Sequence, residues 1–176
     1  MKEMDFKQGR LAFNEETLTM LPCLPDQVEM RVRLYLVDAD GLRETGFFDF
    51  KQLPEMLVSN KVLWLHLSGT LSSDFWRELK DFLDLTDEQI KHIRSPHSKA
   101  VFEDFHNGMF LSLPRPSVSE RVDAIEDVNL FFQKNVLVTR QFSHDNAFSL
   151  VTHRLMERGE FFSPERADRL AAELIH

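Results

Sequence analysis

KVLWLHLSG, residues 61–69, is apolar almost without a break. A run of that length and character predicts a strand buried on both faces, with Gly69 ending it. Such a strand belongs at the centre of a sheet, and the rest of the chain is read outward from it. Immediately after it, SSDFWRELKDFLD carries Phe75, Trp76, Leu79, Phe82 and Leu83 at helical spacing, with Ser72 or Ser73 as the cap. TDEQIKHIR follows as a second helix. Its acids lie in the first turn and its bases in the last, as the helix dipole favours, and Pro96 ends it.

Towards the N-terminus, MRVRLYLVD alternates, placing Val32, Leu34 and Leu36 on one side and Arg31, Arg33 and Tyr35 on the other, as in a half-buried strand. Asp40-Gly41 supplies a turn, GFFDF reads as another extended piece, and QLPEMLV as a short helix with Pro54 in its first turn. Beyond residue 98, KAVFEDFH, GMFLSLPRP, RVDAIEDVNLFFQKN and VLVTRQF read as antiparallel hairpins turning at Asn107-Gly108 and Lys134-Asn135. Period 2 sets Phe131 on the face opposite Val128 and Leu130, where it meets a helix. Two helices close the chain: one carries Phe148, Val151 and Leu155, and in the other Ser163 caps and Pro164 takes the first turn. The expected fold is α+β, an α/β/α sandwich in which a mixed, largely antiparallel sheet has helices on both faces.

The 176 residues suit one domain, spanning 30–176, preceded by a partly mobile arm over 1–29 that contains Pro22, Pro25 and no sustained period. With 21 basic and 29 acidic side chains, the net charge of −8 repels phosphate backbones, so nucleic acid is not an expected partner. Cys23 is the only cysteine, which excludes an intrachain disulfide and a four-thiolate zinc site. No stretch approaches the ~20 apolar residues of a membrane helix, so the chain as given is expected to be soluble.

Catalytic signatures are missing. The seven histidines include no His-Glu-x-x-His and no pair four apart on a helix. Glu103, Asp104 and His106 cluster locally, yet alternation puts Asp104 and His106 on one face and Glu103 on the other. Ser143, His144 and Asp145 are merely adjacent in a loop, where Asp145 reads as a helix cap, and triad members converge from distant segments. With no nucleophile elbow and no phosphate-cradling loop, the expectation is a protein that is not an enzyme. Trp64 and Trp76 lie in apolar runs and are assigned to the core.

Taken together, VLWLHLSGTLSSDFWRELKDFLDL, KHIRSPHSKAVFEDFHNGMFLSL and DVNLFFQKNVLVTRQF resemble the cytoplasmic N-terminal domain of the CorA family of divalent-cation transporters, including its ZntB-like zinc branch. The likeness rests on the strand Trp64-Leu65-His66-Leu67, on Lys99 and Glu103 before the run Met109 to Leu113, and on Val128 to Gln133, Lys134-Asn135 and Val136 to Arg140. RADRLAAELIH is similar to the segment before the family's stalk helix. The resemblance implies a homopentamer in the full-length protein, with this domain forming a funnel wall against its own and the neighbouring stalk helix. It also implies a location on the cytoplasmic side of the cell inner membrane, with the membrane reached through a C-terminal part missing from this chain. The family's pore signature Gly-Met-Asn is absent, since Gly108-Met109 is followed by Phe110.

Where magnesium-transporting members place acids on the second helix and at the start of the stalk, the resemblance aligns Lys91, His92 and His176. Magnesium takes oxygen ligands, whereas zinc, nickel and cobalt accept imidazole nitrogen. His92 and His176 are therefore the expected metal ligands, for a divalent ion bound weakly or not at all by the domain alone. The competing assignment makes His92 a helix-end cation like Lys91 and Arg94. A stand-alone protein-interaction module of the same fold is the alternative to a sensing domain that responds to cations between subunits.

Overall fold

The computed structural model describes residues 31–45, 49–97, 99–116, 125–142, 147–158 and 166–175. The arm over 1–29, Ser143-His144-Asp145, Ser163, Pro164 and His176 lie outside them. Seven strands form one sheet: β1 (Arg31–Asp38), β2 (Gly41–Thr45), β3 (Val62–Ser68), β4 (Val101–Phe105), β5 (Gly108–Pro116), β6 (Ile125–Gln133) and β7 (Val136–Gln141). Their spatial order is β2-β1-β3-β7-β6-β5-β4, and only β3 and β7 run parallel. The helices are α1 (Leu53–Ser59), α2 (Ser73–Leu83), α3 (Asp87–Arg94), α4 (Ser149–Arg158) and α5 (Ala167–Ile175).

The expected sandwich is what forms. On one face Leu34, Leu65, Leu67, Phe131 and Val138 pack against Leu53 of α1, Trp76 and Leu79 of α2 and Ile93 of α3. On the other, Tyr35, Trp64, Leu130 and Leu137 pack against Leu155 of α4 and Leu170 and Leu174 of α5. Trp64 is fully buried and stacks on Tyr35 at 4.4 Å, and Trp76 is buried too, so both tryptophans are core. Phe131 faces the α1–α3 side as its alternation requires.

Local chemistry sets the boundaries. Ser72 accepts the N–H of Phe75 to start α2, and Thr86 with Gln89 forms a capping box at α3. Gly69 takes a φ of 75° directly after β3, a conformation glycine adopts without strain. Gly108 opens β5 for a different reason: a Cβ there would lie 2.8 Å from Cζ of Phe131 and 2.9 Å from the carbonyl oxygen of Phe132.

Two expectations change. Tyr35, read as facing solvent, is 1% exposed, because α4 and α5 cover the side of β1 that its arginines suggested was open. The second extended piece lies upstream of GFFDF, at Gly41–Thr45, where it pairs with β1; Phe50 instead begins a 3₁₀ turn leading into α1, and residues 46–48 lie outside the description.

Candidate functional site

α3 is fastened to the sheet at both ends. At its start, Gln89 donates from Nε2 to Oδ1 of Asn107 in the β4–β5 turn (2.9 Å). At its end, Nδ2 of Asn129 in β6 donates to the carbonyls of His92 (3.3 Å), Ile93 (3.1 Å) and Ser95 (2.8 Å), which a helix terminus leaves without intrahelical partners. These ties lay the last turn of α3 over β4 and β5.

His92 projects from that turn towards the sheet. Its Nε2 lies 3.5 Å from Oε2 of Glu103 on β4, at the long limit of an ion pair. Its ring runs nearly parallel to His97, with centroids 5.7 Å apart, and meets the rings of Phe110 and Phe105 at 5.6 and 5.9 Å. Nε2 of His97 is 3.0 Å from the carbonyl oxygen of His92, so that nitrogen carries the proton and donates. The backbone N–H of His97 is held by Asp127 at 2.7 Å. Nδ1 of His92 is buried without a hydrogen-bond partner.

The structure thus brings together His92 and Glu103, which sequence reading had kept in separate proposals, and adds His97. Lys91, Asp104 and His106 are exposed, and His176 lies outside the described residues. Strand alternation separates Glu103 from Asp104 and His106, but nothing in the sequence pattern brings the C-terminal turn of α3 across β4, where His92 meets Glu103 and Phe105 of its own chain. Chemically, the pair offers one imidazole nitrogen and one carboxylate, with one face of His97 alongside. Among the described residues no group of three His, Cys, Asp or Glu converges on a common point. Zinc takes four ligands in structural sites, so a metal at His92 and Glu103 would need further donors from elsewhere.

A second polar cluster lies on the opposite face. Trp64 donates from Nε1 to Oγ1 of Thr139 (2.9 Å), and the same hydroxyl is 2.9 Å from Nδ1 of His66. Burial above all, then the charges of Arg33 and Arg140, pushes the pKa of His66 down to about 4, so the imidazole is neutral. It is a closed structural network, with Phe148 edge-on to both rings.

No family model matches the sequence, and no curated protein matches it. Solved structures do. The full-length CmaX protein aligns with a TM-score of 0.63 at 15% identity, over 87% of this chain and 46% of that one. The ZntB cytoplasmic domain from Vibrio parahaemolyticus RIMD 2210633 aligns at 0.58 and 13% identity, over 81% of this chain and 55% of that one. The CorA magnesium transporter from Methanocaldococcus jannaschii aligns at 0.57 and 10% identity, over 82% and 43%. The chain spans about half the length of each. At these identities the likeness concerns architecture, and the chain has the fold of the CorA/ZntB-like cytoplasmic domains.

Proposed function

We propose that this chain is the cytoplasmic regulatory domain of a CorA-type divalent metal-ion transporter. The observation that supports it is fold likeness over more than four-fifths of the chain to proteins described as CorA and ZntB. In this reading the domain binds and does not catalyse. It forms part of a funnel wall in a homo-oligomer, a pentamer in the full-length protein, at the cytoplasmic side of the inner membrane. Among the described residues no helix is long and apolar enough to cross a membrane, so the pore belongs to polypeptide other than these residues.

His92 is the proposed metal-responsive residue, with His176 as its companion ligand. The imidazole and Glu103 present two donors, and a neighbouring subunit's stalk supplies others; imidazole favours zinc, nickel or cobalt over magnesium. Regulation requires that the ion bind the closed arrangement more tightly than the open one, since equal affinity shifts nothing.

Two measurements test this. Sequencing the native reading frame should reveal two apolar spans of ~20 residues each beyond codon 176; a stop codon there removes the transporter reading. Calorimetric titration of the assembled full-length protein with zinc should show that His92→Ala weakens binding by at least about tenfold, the lower end of what losing even an outer-shell partner costs. Equal affinity in both proteins removes His92 from the site.

A further inference from the structure

One register row on the α1–α3 face of the sheet is polar. Ser112 of β5 pairs with Asn129 of β6, and Asn129 pairs with Arg140 of β7. Phe110, Phe131 and Val138, two positions away on the same strands, belong to the core beneath α2 and α3, so alternation places the polar row on that side as well. The three residues are 0%, 1% and 7% exposed. Ser112 Oγ, Asn129 Oδ1, and Nε and Nη1 of Arg140 are all buried with no hydrogen-bond partner. Buried polar atoms are nearly always partnered, and orphans concentrated on three cross-strand neighbours call for an occupant.

The chemistry of that occupant can be narrowed. Asn129 cannot reverse its amide, because Nδ2 is committed to three carbonyls of the α3 terminus; Oδ1 therefore stays an acceptor in need of a donor. The guanidinium of Arg140 sits 4.7 Å from the Phe142 ring centre and 5.9 Å from that of Trp76. Burial above all, then the charge of a second cation, Arg94, draws its pKa down to about 10, leaving it charged at neutral pH. No carboxylate among the described residues pairs with it. A water molecule can close hydrogen bonds here but cannot offset a buried positive charge, which is costly while unpaired. An anion does both, and one that carries a proton can in addition donate to Oδ1 of Asn129.

We propose that the Ser112–Asn129–Arg140 row is a binding site for a small hydrogen oxyanion of the bicarbonate or dihydrogen phosphate class. Arg140 donates to its charged oxygens, Asn129 Oδ1 accepts from its hydroxyl, and Ser112 stands one strand further along as a donor or acceptor. Because Asn129 also holds the terminus of α3, occupancy is coupled to the turn that carries His92. The proposal rests on buried geometry alone and is independent of the transporter reading.

Thermal unfolding of the full chain at pH 7 and fixed ionic strength tests it, with sodium bicarbonate and sodium phosphate in separate arms and sodium chloride as the control. At ten times the dissociation constant, one of the two oxyanions should raise Tm by about 3–6 °C, saturably, with no such rise in chloride. The arm that responds identifies the ion. Arg140→Met should fold and lose the response. Arg140→Lys, which keeps the charge but not the planar donors, should bind at least about tenfold more weakly. The proposal is overturned by the absence of a saturable rise in both oxyanion arms, by an equal rise in chloride, or by an unchanged response in either variant.

Discussion

Thr139 and Arg140 are consecutive in β7, face opposite sides of the same sheet, and are both buried. On the α4–α5 side, Thr139 joins Trp64 and His66 in hydrogen bonds of 2.9 Å, Gln141 accepts the N–H of Ala147 at 2.8 Å, and Thr152 donates to the carbonyl of Phe148 at 2.6 Å. On the α1–α3 side, Arg140, Asn129 and Ser112 retain four unpartnered atoms, whereas among the described residues of the α4–α5 side the one such atom is Nε of Arg115, which alternation places beside Leu113. The difference separates two uses of buried polarity. A closed network holds the fold in one arrangement, whereas an open one leaves donors and acceptors for something outside the chain.

The largest test of this contrast is Trp64→Ala. It removes the stack on Tyr35, the edge contact with Phe148 at 5.7 Å and the N–H that Thr139 accepts, and should cost about 3–5 kcal/mol in urea unfolding. A loss below about 1 kcal/mol would mean the closed side is not the stabilising one. Next comes pH. The folded-state pKa of His66 is depressed to about 4 while the unfolded chain titrates near its ordinary value, so between the two the unfolded state binds more protons. The stability that neutral His66 contributes is complete above about pH 6.5 and is lost as pH falls towards 4. The loss is on the order of 3 kcal/mol, and chemical denaturation of wild type against His66→Gln should show it as a difference in slope over that window. The smallest effect, and the sharpest, is Arg140→Met without added anion. Stability should be unchanged or higher by about 1 kcal/mol, since an unpaired buried charge is replaced by an apolar chain of similar length.

Much of the fold was legible because hydrophobic period reports directly on burial. The unbroken run at Val62–Ser68 marks an interior strand, next to the middle strand β7, and the opposition of Phe131 to Leu130 announces that both faces are covered. Tyr35 misled because the arginines beside it suggested a solvated face: Arg33 and Tyr35 share that face, yet α4 and α5 bury Tyr35. GLRET has a single strongly apolar residue, Leu42, and so no strand pattern of its own; its pairing with β1 follows from the tight turn. The site was less legible. His92 and Glu103 lie on separate elements, and the packing of Ile93 on the sheet together with the ties of α3 to Asn107 and Asn129 brings them together. Arg140 carries no local signal at all: in VLVTRQF it reads as a charge at a strand end, and its burial depends on α2, which is far from it in sequence.

The single parallel junction also bears on how the chain acquires its shape. β7-β6-β5-β4 is an antiparallel meander, whereas in β2-β1-β3 the strands are antiparallel but β3 pairs with β1, so the chain passes from β2 across β1 to reach β3; the two groups meet only along β3 and β7. The bond between Trp64 and Thr139 across that seam links residues 75 positions apart, so its formation carries a loop-closure penalty that the β4–β5 and β6–β7 hairpins largely avoid. The sheet is therefore expected to assemble from two locally folded halves, with the seam as the late step. Pulse-labelled amide exchange should register protection in β5 and β6 before β3, and simultaneous protection would show that the halves do not fold independently.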